Sequence, residues 1–249
     1  MVAGAIRRAE PPFVAADYAN DGKHHVLLAA SGSVATIKIP NIVEALSAHP
    51  NISIRLVFTK SAINFLAGQS HEQPHVDTLR SFPNVEGIYE DEDEWAHPWT
   101  RGAAILHIEL RRWAHVMLIA PLSANTLAKI VGGLSDNLLT SVVRAWDTTG
   151  EVEASTEGAV TGQAQIVKPK TIMVAPAMNT AMWRHRITAK QISILEDEWG
   201  VGKDGDEPGW FEVLVPMKKE LACGDVGDGA MKDWREIVQV MESRLGLST

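Results

Sequence analysis

HVLLAASGSV, His25 to Val34, is the stretch that decides the fold class. An apolar run without polar alternation suits a strand buried on both faces of a parallel sheet. The polar turn Ser31-Gly32-Ser33 ends that run, and from Val34 to Ala48 apolar residues recur at helical spacing. The same grammar returns in VMLIAPLSAN, Val116 to Asn125, and in TIMVAPAMNT, Thr171 to Thr180. Ile52 to Phe58 is a further strand, with Thr59 and Ser61 ready to cap a helix through Ala67. Strands alternating with helices predict an α/β fold, a doubly wound parallel sheet.

Working outward, residues 69–101 read as irregular, broken by Pro74, Pro83 and Pro98 and by the acids from Glu90 to Glu94. Helices are expected from Ala103 to Trp113, from Ser123 to Val131, from Asp136 to near Trp146 and from Asn179 to about Trp199. Phe211 to Val215 is a short strand, Lys218 to Gly229 a glycine-bearing loop, and Met231 to Leu245 a closing amphipathic helix. Residues 147–165 and 200–209 are rich in Gly and polar residues and read as flexible insertions. Residues 1–22, with Pro11 and Pro12, read as a disordered leader, which leaves 23–249 as one domain.

Composition narrows the function class. The 249 residues carry 23 Lys and Arg against 31 Asp and Glu, a net charge of −8, which argues against a nucleic-acid partner. No apolar run approaches the roughly 18 residues that a membrane span needs. Cys223 is the single cysteine, so no intrachain disulfide and no multi-cysteine zinc site can form. With no signal segment, a reducing, cytoplasmic location is expected. The nine histidines show no metal-ligand spacing, and no metal is expected.

In doubly wound sheets, ligands sit beyond the C-terminal strand ends. The polar turns Ser31-Gly32-Ser33, Thr59-Lys60-Ser61, Ser123-Ala124-Asn125-Thr126 and Ala177-Met178-Asn179 fall on that rim. Ser31-Gly32-Ser33-Val34 lacks the later glycines of a dinucleotide fingerprint. Taken alone it fits a capped turn as well as a cradle for one phosphate. Met178 and Met182, four apart, fit core or pocket wall. His107, among apolar neighbours in a helix, fits a hydrogen-bonded packing residue as well as a catalyst. Cys223 fits a small buried hydrophobe or a reactive thiol.

Longer motifs carry more. SGSVA after Ala30, LHIELRRWA (Leu106 to Ala114), IAPLSANTLAK (Ile119 to Lys129), GGLSDNLLT (Gly132 to Thr140), PAMNTAMW (Pro176 to Trp183) and the cysteine segment Leu221 to Met231 resemble the phosphopantothenoylcysteine decarboxylases. The similarity runs from about His24 to Met231, interrupted by the two insertions. It implies a Rossmann-like, flavodoxin-like domain that binds FMN and converts phosphopantothenoylcysteine to phosphopantetheine in coenzyme A biosynthesis. By that resemblance the FMN phosphate lies against Gly32, Ser33, Val34, Thr59, Lys60 and Ser61. Ser123, Ala124, Asn125, Thr126 and Ala177 line the rest of the flavin. Asn179 holds the substrate carboxylate, Met182 and Ala222 contact substrate, His107 is the acid/base, and Cys223 donates a proton as the intermediate is reduced.

The resemblance also implies a homotrimer with active sites at subunit interfaces. Two other readings accompany it. Some fungal relatives bind and inhibit a type 1 protein phosphatase, but they tend to carry a long N-terminal extension and a strongly acidic C-terminal tail, whereas this sequence ends Leu247-Ser248-Thr249. Peptidyl-cysteine decarboxylases share the His107 and PAMNTAMW matches but do not need Cys223. Glu220 departs from the family pattern, which expects a basic or neutral residue just before Leu-Ala-Cys.

Overall fold

The computed structural model describes residues 13–152, 169–202, 209–220 and 226–247. Six strands form the central sheet: β1 (His24–Ala30), β2 (Ile52–Phe58), β3 (Val85–Tyr89), β4 (Val116–Leu122), β5 (Thr171–Pro176) and β6 (Phe211–Val213). All pair in parallel, in the order β3-β2-β1-β4-β5-β6. The chain therefore reverses its direction of progress between β1 and β4, which sit in register through Val26 opposite Val116 and Ala29 opposite Ile119. At such a switch point the loops leaving the two strands diverge and open a crevice.

The unbroken apolar runs are explained by helices on both faces. From β1, Val26, Leu28 and Ala30 join Ile42 and Leu46 of α1 (Ile39–Leu46) and Ile237 and Met241 of the C-terminal helix Trp234–Arg244 in one buried cluster. Leu27 and Ala29 point the other way. They join Leu110 and Trp113 of α2 (Leu106–Trp113), Leu127 of α3 (Ala124–Val131) and Leu138 of α4 (Leu138–Arg144). Period-two alternation assigns each side chain to a face, and each fully buried leucine contributes roughly 1.5–3 kcal/mol. Asn137 caps α4 reciprocally: its Oδ1 accepts from Thr140 N–H at 2.9 Å, while Thr140 Oγ1 accepts from Asn137 N–H at 3.3 Å.

Several expectations are corrected. The helix expected from Val34 to Ala48 starts as a 3-10 turn, Val34–Lys38, and becomes α1 at the N-terminal Pro40. Proline favours a first helical turn because it has no N–H to leave unpaired. The helix expected through Ala67 is only the turn Lys60–Ile63. The stretch 69–101 contains sheet strand β3, whose Gly87 leaves room for the ring of Tyr89: a Cβ there would come within 2.8 Å of Tyr89 Cε2. The helix expected from Asn179 to Trp199 is divided into Thr180–Trp183, α5 (Arg186–Ser193) and a π-helical turn Ile194–Glu198. The loop expected from Lys218 to Gly229 holds two antiparallel strands, β7 (Met217–Glu220) and β8 (Val226–Ala230).

The two insertions are anchored at their described ends. Asp147 is buried, and its carboxylate accepts from Gly150 N–H at 3.0 Å. Val201 N–H donates to the carbonyl of Phe211 at 2.8 Å, fixing the second insertion to β6. Residues 153–165 and 203–208 lie outside the described residues.

Of the expected leader, residues 1–12 lie outside the described residues, but within 13–22 Phe13 and Ala15 are buried and Tyr18 is half-buried. Phe13 is 8% exposed, and the Arg55 guanidinium stands 4.0 Å from its ring centroid. Ala15 N–H donates to the buried Glu109 carboxylate at 2.7 Å. Arg55 is itself buried, hydrogen-bonded to Tyr89 and, at 3.3 Å, to Glu86. A buried guanidinium needs such partners and gains from ring faces beside it. Phe13→Ala removes one of those faces and opens a cavity, so it is expected to lower the free energy of unfolding by about 3 kcal/mol, the lower end for buried phenylalanine. Urea unfolding measures this; an unchanged midpoint would mean that Phe13 contributes no packing.

Candidate active site

The crevice at the switch point begins with Ser31, which is fully buried. Its N–H and its hydroxyl both donate to the Pro121 carbonyl, at 3.1 and 3.0 Å. Its Oγ also accepts from Ser123 N–H at 2.8 Å. The ends of β1 and β4 are thus tied together just where their loops part. Gly32 follows because the chain passes close to Ser61: a Cβ at Gly32 would lie 2.7 Å from Ser61 Cβ. Ser61 Oγ is hydrogen-bonded to Thr59 Oγ1 at 3.2 Å.

A cavity of about 690 Å³ occupies this crevice, within the range of small-molecule and cofactor sites. Gly32, Ser33, Val34 and Ser61 line one part of it, and Ser123, Ala124, Asn125 and Ala177 another. Asn179 and Met182 also line it. Asn179 Oδ1 accepts from Met182 N–H at 2.9 Å as a helix cap. Its carboxamide NH₂ is thereby left as a donor toward a ligand.

Three residues expected to touch the cofactor do not line the cavity. Thr59 is 6% exposed and caps the turn Lys60–Ile63, accepting from Ala62 N–H at 3.4 Å. Thr126 is 2% exposed and bonds to Ser123 through its hydroxyl and its N–H, at 3.2 and 3.3 Å. Lys60 faces solvent. The two threonines are committed to helix starts, and the smaller, less buried Ser61 supplies the wall.

The cavity also draws on residues that the sequence did not single out. Lys38, Phe65, Met217, Lys232, Asp233 and Trp234 line it too, together with Gly229 to Met231 from the end of the cysteine segment. Strand β8 reaches it by passing very close to the Asn179 turn. Met178 N–H donates to the Gly229 carbonyl at 3.0 Å, and a Cβ at Gly227 would come within 2.8 Å of Thr180 Cβ. Arg184 clamps the same strand through Asp228 Oδ2, at 2.8 and 3.1 Å, and this hydrogen bonding holds the Asp228 carboxyl below the usual carboxylate range. The glycine pattern around 227–229 was a signal for close backbone approach, but it does not reveal what is approached.

His107 is not among the residues lining the cavity. It sits in the first turn of α2, with Nδ1 hydrogen-bonded to Glu94. Ala222 and Cys223 lie outside the described residues. Trp95 and Trp99, close in sequence to Glu94, are 61% and 52% exposed.

A family profile described as Flavoprotein matches residues 14–246. A probable phosphopantothenoylcysteine decarboxylase from Arabidopsis thaliana is 44% identical over 212 residues, 85% of this chain and 83% of that protein. Among solved structures, a phosphopantothenoylcysteine decarboxylase mutant complexed with pantothenoylaminoethenethiol superposes with a TM-score of 0.68 at 41% identity, covering 90% of this chain and 99% of the other. The FMN binding protein AtHal3 gives 0.65 at 40% identity, covering 91% and 99%. The chain belongs to the flavoprotein family and groups within it with the phosphopantothenoylcysteine decarboxylases.

Proposed function

We propose that this protein binds FMN in the switch-point cavity and decarboxylates phosphopantothenoylcysteine to phosphopantetheine. The observation that carries the reading is the convergence of Gly32, Ser61, Ser123, Ala177 and Asn179 on one cavity, with family membership behind it. The lining fits a flavin mononucleotide. The turn at Gly32 has no side chain to obstruct a phosphate, the small residues Ala124 and Ala177 leave space for a flat ring, and Phe65 and Met231 give apolar contact. Gly32, Ser33, Val34 and Ser61 would hold the phosphate, and Ser123, Ala124, Asn125 and Ala177 the remainder.

FMN, when held by these residues, would supply the redox chemistry as a hydride acceptor and donor. The protein's share is to bind, orient and move protons. Asn179, with Oδ1 fixed in a helix cap, would direct its NH₂ to the substrate carboxylate and hold it for departure. Met182 would pack against the substrate. His107 would act as acid/base at the thiol end, and Cys223 would give the proton that completes the reduced product. A free thiol in that role suits a reducing compartment such as the cytoplasm.

Because His107 does not line the cavity of its own chain, we assign it to the cavity of a neighbouring subunit in a homotrimer. The exposed Trp95 and Trp99 supply apolar surface for such a contact. Light scattering should then give three times the 27.1 kDa chain mass. His107→Ala and Asn179→Asp should each abolish CO₂ release. Mixed trimers reassembled from the two variants should regain part of it, since some cavities receive an intact His107 and an intact Asn179. No recovery from confirmed mixed trimers would place both residues in one subunit's site. Cys223→Ser should still release CO₂ but yield the enethiol, lighter than phosphopantetheine by one H₂. Full phosphopantetheine production at the normal rate by that variant would remove Cys223 from the mechanism.

A further inference from the structure

The imidazole of His107 has a buried partner that the reaction scheme does not use. Its Nδ1 is hydrogen-bonded to Glu94 Oε1. The Glu94 side chain is 4% exposed, against 22% for His107. A carboxylate oxygen only accepts, so in this pair Nδ1 carries the proton and Nε2 is the nitrogen available to a further partner.

Glu94 is also held in place. It ends the helical turn Asp91–Glu94, in which Asp93 Oδ2 accepts from Glu90 N–H at 2.7 Å. At its other end Asp91 Oδ1 accepts from the N–H of Leu138, the first residue of α4, at 3.0 Å. The turn is therefore pinned to the same helix layer that carries α2. An acidic run of this kind ordinarily faces water, yet Glu94 is turned inward onto one imidazole.

We propose that Glu94 is a positioning residue for the decarboxylation: it fixes His107 in the Nδ1–H tautomer and presents Nε2 as the acid/base. The inference rests on the reading of His107 given above. A carboxylate behind a histidine sets both tautomer and ring orientation, and a ring rotated out of line transfers protons poorly even when the fold is unchanged.

The test compares Glu94→Ala, Glu94→Asp, Glu94→Gln and His107→Ala in the full-length, FMN-loaded protein. Glu94→Ala should lower kcat by about 10²-fold with KM within about twofold, while flavin absorbance and molar mass stay as in the parent. Glu94→Asp should recover part of the loss. Imidazole nitrogen NMR should show the Nδ1–H tautomer for His107 in the parent and in Glu94→Gln, which keeps an acceptor, and a loss of that preference in Glu94→Ala. An inactive His107→Ala beside a fully active Glu94→Ala overturns the inference alone. So does an Nε2–H tautomer in the parent. A fully active His107→Ala instead overturns the acid/base reading, and the positioning role falls with it. If Glu94→Ala does not fold, Glu94→Met, which keeps the side chain's length but has no oxygen to accept from Nδ1–H, takes its place; parent-like kcat in Glu94→Met overturns the inference, and reduced kcat with retained flavin and a lost Nδ1–H preference supports it.

Discussion

The structure depends on the tie between the ends of β1 and β4. Ser31 donates twice to the Pro121 carbonyl and accepts from Ser123 N–H, in a position closed to water. A buried amide left unpaired costs about 1–3 kcal/mol, so this serine satisfies its neighbours as well as joining them. Because the strand order reverses here, the two loops must leave in opposite directions, and the tie keeps their bases together as they part. The cavity follows from that geometry: Gly32 and Val34 descend from one side, and Ser123 and Asn125 from the other.

Two layers of constraint then shape the cavity. Helix starts consume some hydroxyls, as at Thr59 and Thr126, and leave others on the wall, as at Ser61. The chain's last strand pair brings Gly229 against the backbone of Met178, so residues from the C-terminal quarter close a site founded on the N-terminal turn. The acid/base candidate belongs to neither layer. His107 stands on a separate helix with its own carboxylate behind it.

Much of this was legible in the sequence for a definite reason. A strand covered on both faces has no polar alternation, so HVLLAA, VMLIA and TIMVA announce a parallel sheet and place their turns on one rim. Strand β3 was hidden because Pro83 precedes it, acids follow it, and Gly87 interrupts it, although Gly87 is there to admit the Tyr89 ring. Phe13 looked like part of a loose leader because its value lies in partners far along the chain, Arg55 and Tyr89. Strands β7 and β8 were read as loop because glycine usually signals a turn, whereas Gly227 and Gly229 here allow close approach. Lys38 and Trp234 had no local signal; only the topology brings them to the cavity.

The most direct test of the account is an absorbance spectrum of the purified protein followed by incubation with phosphopantothenoylcysteine and mass analysis of the product. The account predicts a yellow protein with flavin absorbance that releases CO₂ and forms phosphopantetheine. A colourless protein that FMN does not reconstitute would contradict it, and so would a flavin-loaded trimer that leaves the substrate unchanged.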